Sequence, residues 1–192
     1  MVYNLPEDYL RRIESIHLAL RIPANYGALR QLTPYFEASD LISVEGHERQ
    51  HLLTPQAAPQ WHAMKSAAAN EGIELLLISG FRSVDRQCEI IERKLRKGMD
   101  LNTILTVNAA PGFSQHHTGL ALDIGSPDHP NLMNGFENTA TFHWLTSYAG
   151  NFGFVMPYTR DNSHGFIYEP WHWMLEGSLG IHNPPLQSGM RS

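Results

Sequence analysis

The sequence has a single cysteine, no long apolar run and no basic block, and each absence removes a class of protein from consideration. Cys88 is the only cysteine among 192 residues, so no disulfide can form within the chain. No segment approaches the ~18 consecutive apolar residues of a membrane span, so we expect no transmembrane segment. The net charge of −5 and the lack of a basic patch predict that nucleic acid is not a partner.

The start of the chain has the pattern of an amphipathic helix, not of a signal peptide. Residues 7–20 contain several charges and no apolar core run, and their apolar residues recur on one face. That face comprises Leu10, Ile13, Ile16 or His17, and Leu20. The chain as written is therefore expected to be cytoplasmic, or periplasmic or otherwise extracytoplasmic if an export signal has been removed.

Residues 84–97 are predicted to form a helix that closes at Gly98. Val84, Cys88, Ile91 and Leu95 recur at helical spacing, which indicates a buried face. Cys88 is therefore interpreted as a small core residue and not as a catalytic thiol. The basic run at 93–97 is interpreted as the solvated end of this helix, where cations suit the helix dipole.

Short strands mixed with helices, without a regular alternation, predict an α+β domain with a small, mainly antiparallel sheet and flanking helices. Helices are predicted at 7–20, 59–70, 84–97 and 138–151, and strands at 73–78, 119–124, 152–155 and 165–168. We expect a helical extension over residues 1–58 that packs on a catalytic domain over 59–182. The tail over 183–192 is expected to be flexible.

Four residues in two short segments carry the chemistry. His116 and Asp123 lie in the segment SQHHTGLALD, and Glu169 and His172 lie in EPWH. Two imidazoles and one carboxylate make a three-ligand set that leaves a fourth tetrahedral position for water, as catalytic zinc sites do. Glu169 is well placed to take a proton from that water. The pattern predicts a hydrolytic zinc centre at the mouth of the sheet.

Two further histidines near these segments are interpreted as structural. His117 adjoins a ligand, but adjacent residues of an extended segment point to opposite sides. His164 precedes Glu169 in a predicted loop, where a role in orienting a zinc ligand is the alternative to a plain loop histidine. The ligand set therefore stays at His116, Asp123 and His172.

The motif Ser114-x-His116-x-x-Gly119-x-Ala121-x-Asp123, followed by Glu169-x-Trp171-His172, resembles the VanY-type D-alanyl-D-alanine carboxypeptidases. These belong to the group that joins lysostaphin-type peptidases, D-Ala-D-Ala metallopeptidases and hedgehog. The segment SGFRS at 79–83 also matches the family, as does Gln87, and residues 151–158 match its Y-G-F…Y-P stretch approximately. The resemblance spans about residues 59–173. The run 173–175 departs from it, because many relatives have an aromatic–Arg–Tyr sequence there.

The resemblance implies a role for each of these residues. It implies a zinc ion held by His116, Asp123 and His172, with Glu169 as the general base. It assigns Arg82 to stabilising the oxyanion of the tetrahedral intermediate, which a fixed guanidinium can do. Ser114 and Gln87 would bind the peptide through its terminal carboxylate or an adjacent carbonyl. The alternative for Gln87 is local capping or packing.

The leading hypothesis is a zinc D,D-carboxypeptidase that removes a terminal D-alanine from a peptidoglycan stem peptide or muropeptide fragment. An L,D-carboxypeptidase or a peptidoglycan endopeptidase is the alternative within the same chemistry, because the zinc motif is shared and loops build the substrate pocket. A hedgehog-like zinc domain without turnover is the alternative of another class. The presence of both Glu169 and Arg82 argues against it, since a purely structural site needs neither.

Overall fold

The computed structural model describes residues 5–130 and 135–176 of the chain. The helices of this part are α1 (Glu7–Leu20), α2 (Tyr26–Leu29), α3 (Ala57–Asn70), α4 (Val84–Arg96), α5 (Leu101–Val107) and α6 (Ala140–Tyr148). The strands are β1 (Ile42–Glu45), β2 (Gln50–Leu53), β3 (Leu76–Ser79), β4 (Ala121–Gly125), β5 (Phe154–Val155) and β6 (His172–Leu175). None of the described helices is long and apolar enough to span a membrane. The expected flexible tail at 183–192 lies outside the described residues.

The main sheet has four antiparallel strands in the order β3-β4-β6-β5, which confirms the predicted α+β class and antiparallel sheet. Strand β4 is central and buried along its whole length, so its side chains are fixed by packing on both faces. The pairing places Asp123 opposite His172 on β6 and beside Ser79 on β3. Two residues that are 49 positions apart in sequence therefore become neighbours at one end of the sheet.

The core of the sheet side lies against helices α3 and α6. Fully buried side chains meet there from both helices and from strands β3 to β6, and they include Trp61, Met64, Leu77, Leu122 and Leu145. Trp173, Met174 and Leu175 belong to the same cluster, so the run after the last predicted ligand is core and not a cleft wall. The dense packing holds the end of β4 and the start of β6 rigidly beside each other.

Helix α1 packs on α4 and α5 through a second apolar cluster, so the N-terminal segment is attached to the rest of the fold. Its buried residues are Tyr9, Ile13, His17 and Leu20. Of the two residues that the sequence offered for this face, His17 is therefore the buried one, and Ile16 is not. Nε2 of the buried His17 ring is hydrogen-bonded to the carbonyl of Pro111 at 2.8 Å. The helix ends where Arg21 adopts a left-handed conformation at φ 59°.

Three features of the secondary structure differ from the sequence-based prediction. The strand predicted at 165–168 is wrong: within the described residues this segment pairs with no strand, and the Ile167 amide donates to the Thr106 carbonyl at the end of α5. The last strand of the described residues is β6, which begins at His172 and not before it. The hairpin β1–β2 and helix α5 were not predicted, because Val44 is the only buried residue of β1 and α5 is short.

Candidate metal centre and catalytic cleft

Three local structures bring the predicted ligands together. His116 lies on a single 3₁₀ turn (Gln115–Thr118), Asp123 lies in β4, and His172 is the first residue of β6. Gly119 ends the turn at φ 66°, a conformation that glycine adopts without strain, and so allows His116 and the start of β4 to approach. One potential ligand atom of each side chain lies within 4.8 Å of the other two.

The hydrogen bonds of the two imidazoles define which nitrogen of each faces Asp123. Nδ1 of His116 donates to the Gly80 carbonyl at 2.7 Å, which leaves Nε2 at 3.3 Å from Oδ2 of Asp123. His172 is reversed: Nε2 lies 2.9 Å from Oε1 of Gln115, and Nδ1 lies 3.0 Å from Oδ1 of Asp123. Because carbonyl and amide oxygens only accept, each ring keeps its proton on the side away from Asp123.

This donor set fits a zinc ion. Two nitrogen lone pairs face one carboxylate, and such a group of acceptors needs either a proton or a metal cation between its members. Burial lowers the pKa of His116, which disfavours the proton. Burial alone would raise the pKa of Asp123, but the two imidazoles bring it well below its usual value, so the carboxylate is anionic. Two imidazoles and a carboxylate are ligands of catalytic zinc sites.

Glu169 lies beside this cluster and lines the same cleft. Its side chain is buried, and its backbone carbonyl accepts the amide hydrogen of His172, which fixes it one turn before the start of β6. Burial and the Asp123 charge raise the pKa of Glu169 to about 8, against the opposing charges of Arg82 and Lys94. A carboxylate with a raised pKa is a stronger base, as proton transfer near neutral pH requires.

Arg82 is held by contacts on several sides. Its guanidinium donates to Oε1 of Gln87 at 2.9 Å and to Oγ of Ser79 at 3.2 Å, and it lies 3.7 Å from Oδ2 of Asp123. Burial lowers the pKa of Arg82, whereas Asp123 and Glu169 raise it. The side chain lines the cleft, so a fixed cation faces the space in front of Glu169.

Ser114 and Gln87, the predicted peptide-binding residues, occupy different places. Ser114 lines the cleft beside His116. Gln87 is fully buried beneath Arg82, with its Oε1 taken by that guanidinium and its Nε2 donating to the Ala109 carbonyl at 2.7 Å. These contacts match the local-packing alternative for Gln87, and a direct bond from Gln87 to a peptide stays a prediction.

Residues 50–178 match the family model described as VanY, D-alanyl-D-alanine carboxypeptidase. The chain belongs to this family. It is 34% identical over 190 residues to the putative carboxypeptidase YodJ of Bacillus subtilis, an alignment that covers 91% of this chain and 69% of the relative. Membership makes the chain a hydrolase of the metallopeptidase type, as the sequence predicted.

Two solved structures are similar to this VanY-family fold. The LD-carboxypeptidase LdcB superimposes with a TM-score of 0.63 and 33% identity, over 73% of this chain and 69% of LdcB. The second is a variant of the vancomycin-resistance D,D-pentapeptidase VanY in complex with Zn(II). It superimposes with a TM-score of 0.60 and 26% identity, over 76% of this chain and 84% of that one.

Tyr158 is a cleft residue of this family member to which the sequence assigned no role. Its ring stacks on His172 with centroids 4.7 Å apart and packs against Phe166, so the two rings form an apolar wall beside the candidate ligands. Burial raises the pKa of Tyr158 well above its usual value, so the hydroxyl stays protonated. The sequence signal that could have identified Tyr158 was its position at the end of residues 151–158, which match the family's Y-G-F…Y-P stretch.

Lys94 departs from its interpretation as part of a solvated helix end. It is half-buried, and its ammonium bonds the side chain of Asn108, a residue that lines the cleft. Burial lowers the pKa of Lys94, while the charge of Glu169 raises it. The contact depends on the docking of α5 against α4, which the linear sequence does not reveal.

The side chains of His117 and His164 lie outside the cluster of His116, Asp123 and His172. His117 accepts the Gly112 amide hydrogen at Nε2 (3.0 Å) and donates from Nδ1 to the Arg82 carbonyl (2.6 Å), so both ring nitrogens are hydrogen-bonded to backbone groups. Burial lowers its pKa to about 4, which keeps it neutral. His164 bonds the Arg30 carbonyl at 3.0 Å, as a loop histidine does.

Proposed function

We propose that this chain is a zinc-dependent D,D-carboxypeptidase that hydrolyses the terminal D-alanine of peptidoglycan stem peptides. The observation that carries the proposal is the buried cluster of His116, Asp123 and His172, with Glu169 in the same cleft. The relative VanY, named a D,D-pentapeptidase and solved with Zn(II), supports both the metal and the reaction class.

The protein side chains divide the reaction between them. A zinc ion bound by the three ligands would polarise the scissile carbonyl and lower the pKa of a water molecule to about 7. Glu169 accepts a proton from the attacking water at a carboxylate oxygen and later delivers it to the nitrogen of the leaving D-alanine. Arg82, held by Ser79 and Gln87, donates to the oxygen that becomes negative in the tetrahedral intermediate.

The apolar wall of Tyr158 and Phe166 gives the cleft a shape that suits a small side chain. Ala109 lies against the same two rings, so little space is left beside the ligands. A methyl group fits such a pocket, whereas a large side chain would displace Tyr158 from His172. Ser114, at the cleft surface beside His116, is proposed to bond the substrate near the scissile bond.

Recognition of a free carboxylate distinguishes a carboxypeptidase from an endopeptidase. The aromatic–Arg–Tyr run of many relatives is replaced here by buried core residues of β6, so another cation is needed. We propose that Lys94, with Asn108, supplies it. The ammonium bonds Asn108, which lines the cleft, so it brings a positive charge to the edge of the cleft, where it interacts electrostatically with Arg82 and Glu169. A charge-assisted bond to a carboxylate contributes about 1.5–3 kcal/mol.

A substrate panel tests the reaction class. Purified zinc-loaded protein would be incubated with pentapeptide, tetrapeptide and cross-linked dimeric muropeptides, and the products weighed by mass spectrometry. We expect loss of one alanine from the pentapeptide. Cleavage of the tetrapeptide alone would favour the L,D-carboxypeptidase alternative, which the likeness to LdcB supports, and cleavage of the dimer would favour an endopeptidase. No product from any substrate would favour the non-catalytic domain.

The proposed binding of the substrate's terminal carboxylate by Lys94 is tested by amidating the C-terminus of the pentapeptide. The native protein should lose about 10–150-fold in kcat/KM on the amide, the equivalent of one charge-assisted bond. Lys94→Met should lower kcat/KM on the free acid and reduce the penalty for amidation. Lys97→Met, an exposed lysine at the end of the same helix, is the matched control and should behave as the native protein. Equal rates on acid and amide in the native protein would contradict exo-cleavage.

A further inference from the structure

Gln115 is next to one metal ligand in sequence, but its side chain contacts another. Its Oε1 lies 2.9 Å from Nε2 of His172, on the side of the ring opposite Asp123. The amide oxygen can only accept, so this contact places the ring proton on Nε2 and leaves the lone pair of Nδ1 toward Asp123, 3.0 Å away. Gln115 therefore selects the tautomer of His172 that can bind a metal at this position.

The two imidazoles are oriented by acceptors of different kinds. His116 is held by the carbonyl of Gly80, a backbone group that every sequence retains. His172 is held by a side chain, so its orientation depends on the residue at position 115. Acceptors behind metal-binding histidines fix ring orientation and raise ligand basicity, and their loss typically costs about 10–100-fold in metal affinity or activity.

We propose that Gln115 is a positioning residue that holds His172 with Nδ1 toward the metal. This inference rests on the proposed zinc site.

The test measures zinc affinity directly, by competition between the metal-free protein and a chromophoric chelator. Gln115→Leu removes the acceptor and should weaken zinc binding by about 10–100-fold. Gln115→Glu restores an acceptor and should bind zinc at least as tightly as the native protein. Gln60→Leu, an exposed glutamine on α3, is the matched control and should leave the affinity unchanged.

A second readout reports the tautomer itself. In metal-free, ¹⁵N-labelled protein, long-range proton–nitrogen correlations should show His172 protonated at Nε2 in the native chain, and with its proton at Nδ1, toward Asp123, in Gln115→Leu. Native affinity in Gln115→Leu, or weaker binding in Gln115→Glu than in the native protein, would overturn the positioning role. Failure of the native protein to bind zinc would instead overturn the proposed zinc site, so the two failures are distinguishable.

Discussion

Replacing Glu169 by glutamine should stabilise the metal-free protein and remove most of the turnover of the zinc-loaded protein. The carboxyl is buried beside Asp123, and burial is the main cause that raises its pKa from 4.5 to about 8. The native state therefore holds this proton more tightly than the unfolded state. The stability that the protonated group contributes is fully present below pH 4.5 and is lost as the pH rises toward 8. Glutamine stays neutral and avoids this loss.

The magnitude follows from the size of the pKa shift. At about 1.36 kcal/mol per unit, the interval from 4.5 to pH 7 corresponds to about 3 kcal/mol. The free energy of unfolding of Glu169→Gln should exceed that of the native protein by about 1 kcal/mol or less at pH 5 and by about 3 kcal/mol at pH 7. Other groups titrate in both proteins, so the difference between them isolates Glu169.

The assay is urea unfolding in the presence of a chelator, at a series of pH values between 5 and 8. Glu14→Gln, at an exposed glutamate of α1, is the matched control for the chemical change. A stability difference that stays constant or shrinks as the pH rises would refute the reasoning. In the zinc-loaded state the same Glu169→Gln protein should keep its metal and lose about 10²–10⁴-fold in kcat, the usual contribution of a general base.

Two other substitutions test how the cleft is supported. Gly80→Ala should weaken zinc binding and destabilise the fold by about 1–3 kcal/mol, because a Cβ would lie 2.7 Å from the Leu52 carbonyl oxygen and displace the backbone that orients His116. Gly150→Ala is the control by urea unfolding and chelator competition, because a Cβ there would meet no atom within 4 Å apart from its chain neighbours. Equal effects of the two substitutions would contradict this account. Arg82→Lys should keep the charge but lower kcat by about 10²–10³-fold, the usual loss of one oxyanion donor. Little change in single-turnover rate would remove Arg82 from that role.

The metal ligands could be proposed from the sequence because each belongs to a short segment with its own pattern. His116 and Asp123 share one segment, and Glu169 and His172 share another. The fold class followed from short apolar runs separated by turns, and the sheet pairing explains why the two segments meet. Pairing of Asp123 with His172 is a long-range event that no local pattern encodes.

The wrong and the missing sequence-based predictions have one physical cause: local patterns do not show what a segment packs against. Residues 165–168 have strand-like composition, but their backbone bonds the end of α5 and the side chains of Asn162 and Arg30, and none of these bonds joins a strand. Lys94 lies in a run of charges typical of a solvated helix end, and only the docking of α5 brings it to Asn108 and the cleft. The contact of Gln115 with His172 likewise exists only after the sheet has formed.

The central claim is that one zinc ion, held by His116, Asp123 and His172, is required to release D-alanine from a pentapeptide. The most direct measurement removes the metal with a chelator, follows D-alanine release, and then adds zinc in steps. We expect no release from the metal-free protein, full recovery at one equivalent, and no recovery in His172→Ala. D-alanine release by the metal-free protein, or full recovery of His172→Ala at one equivalent, would contradict the account.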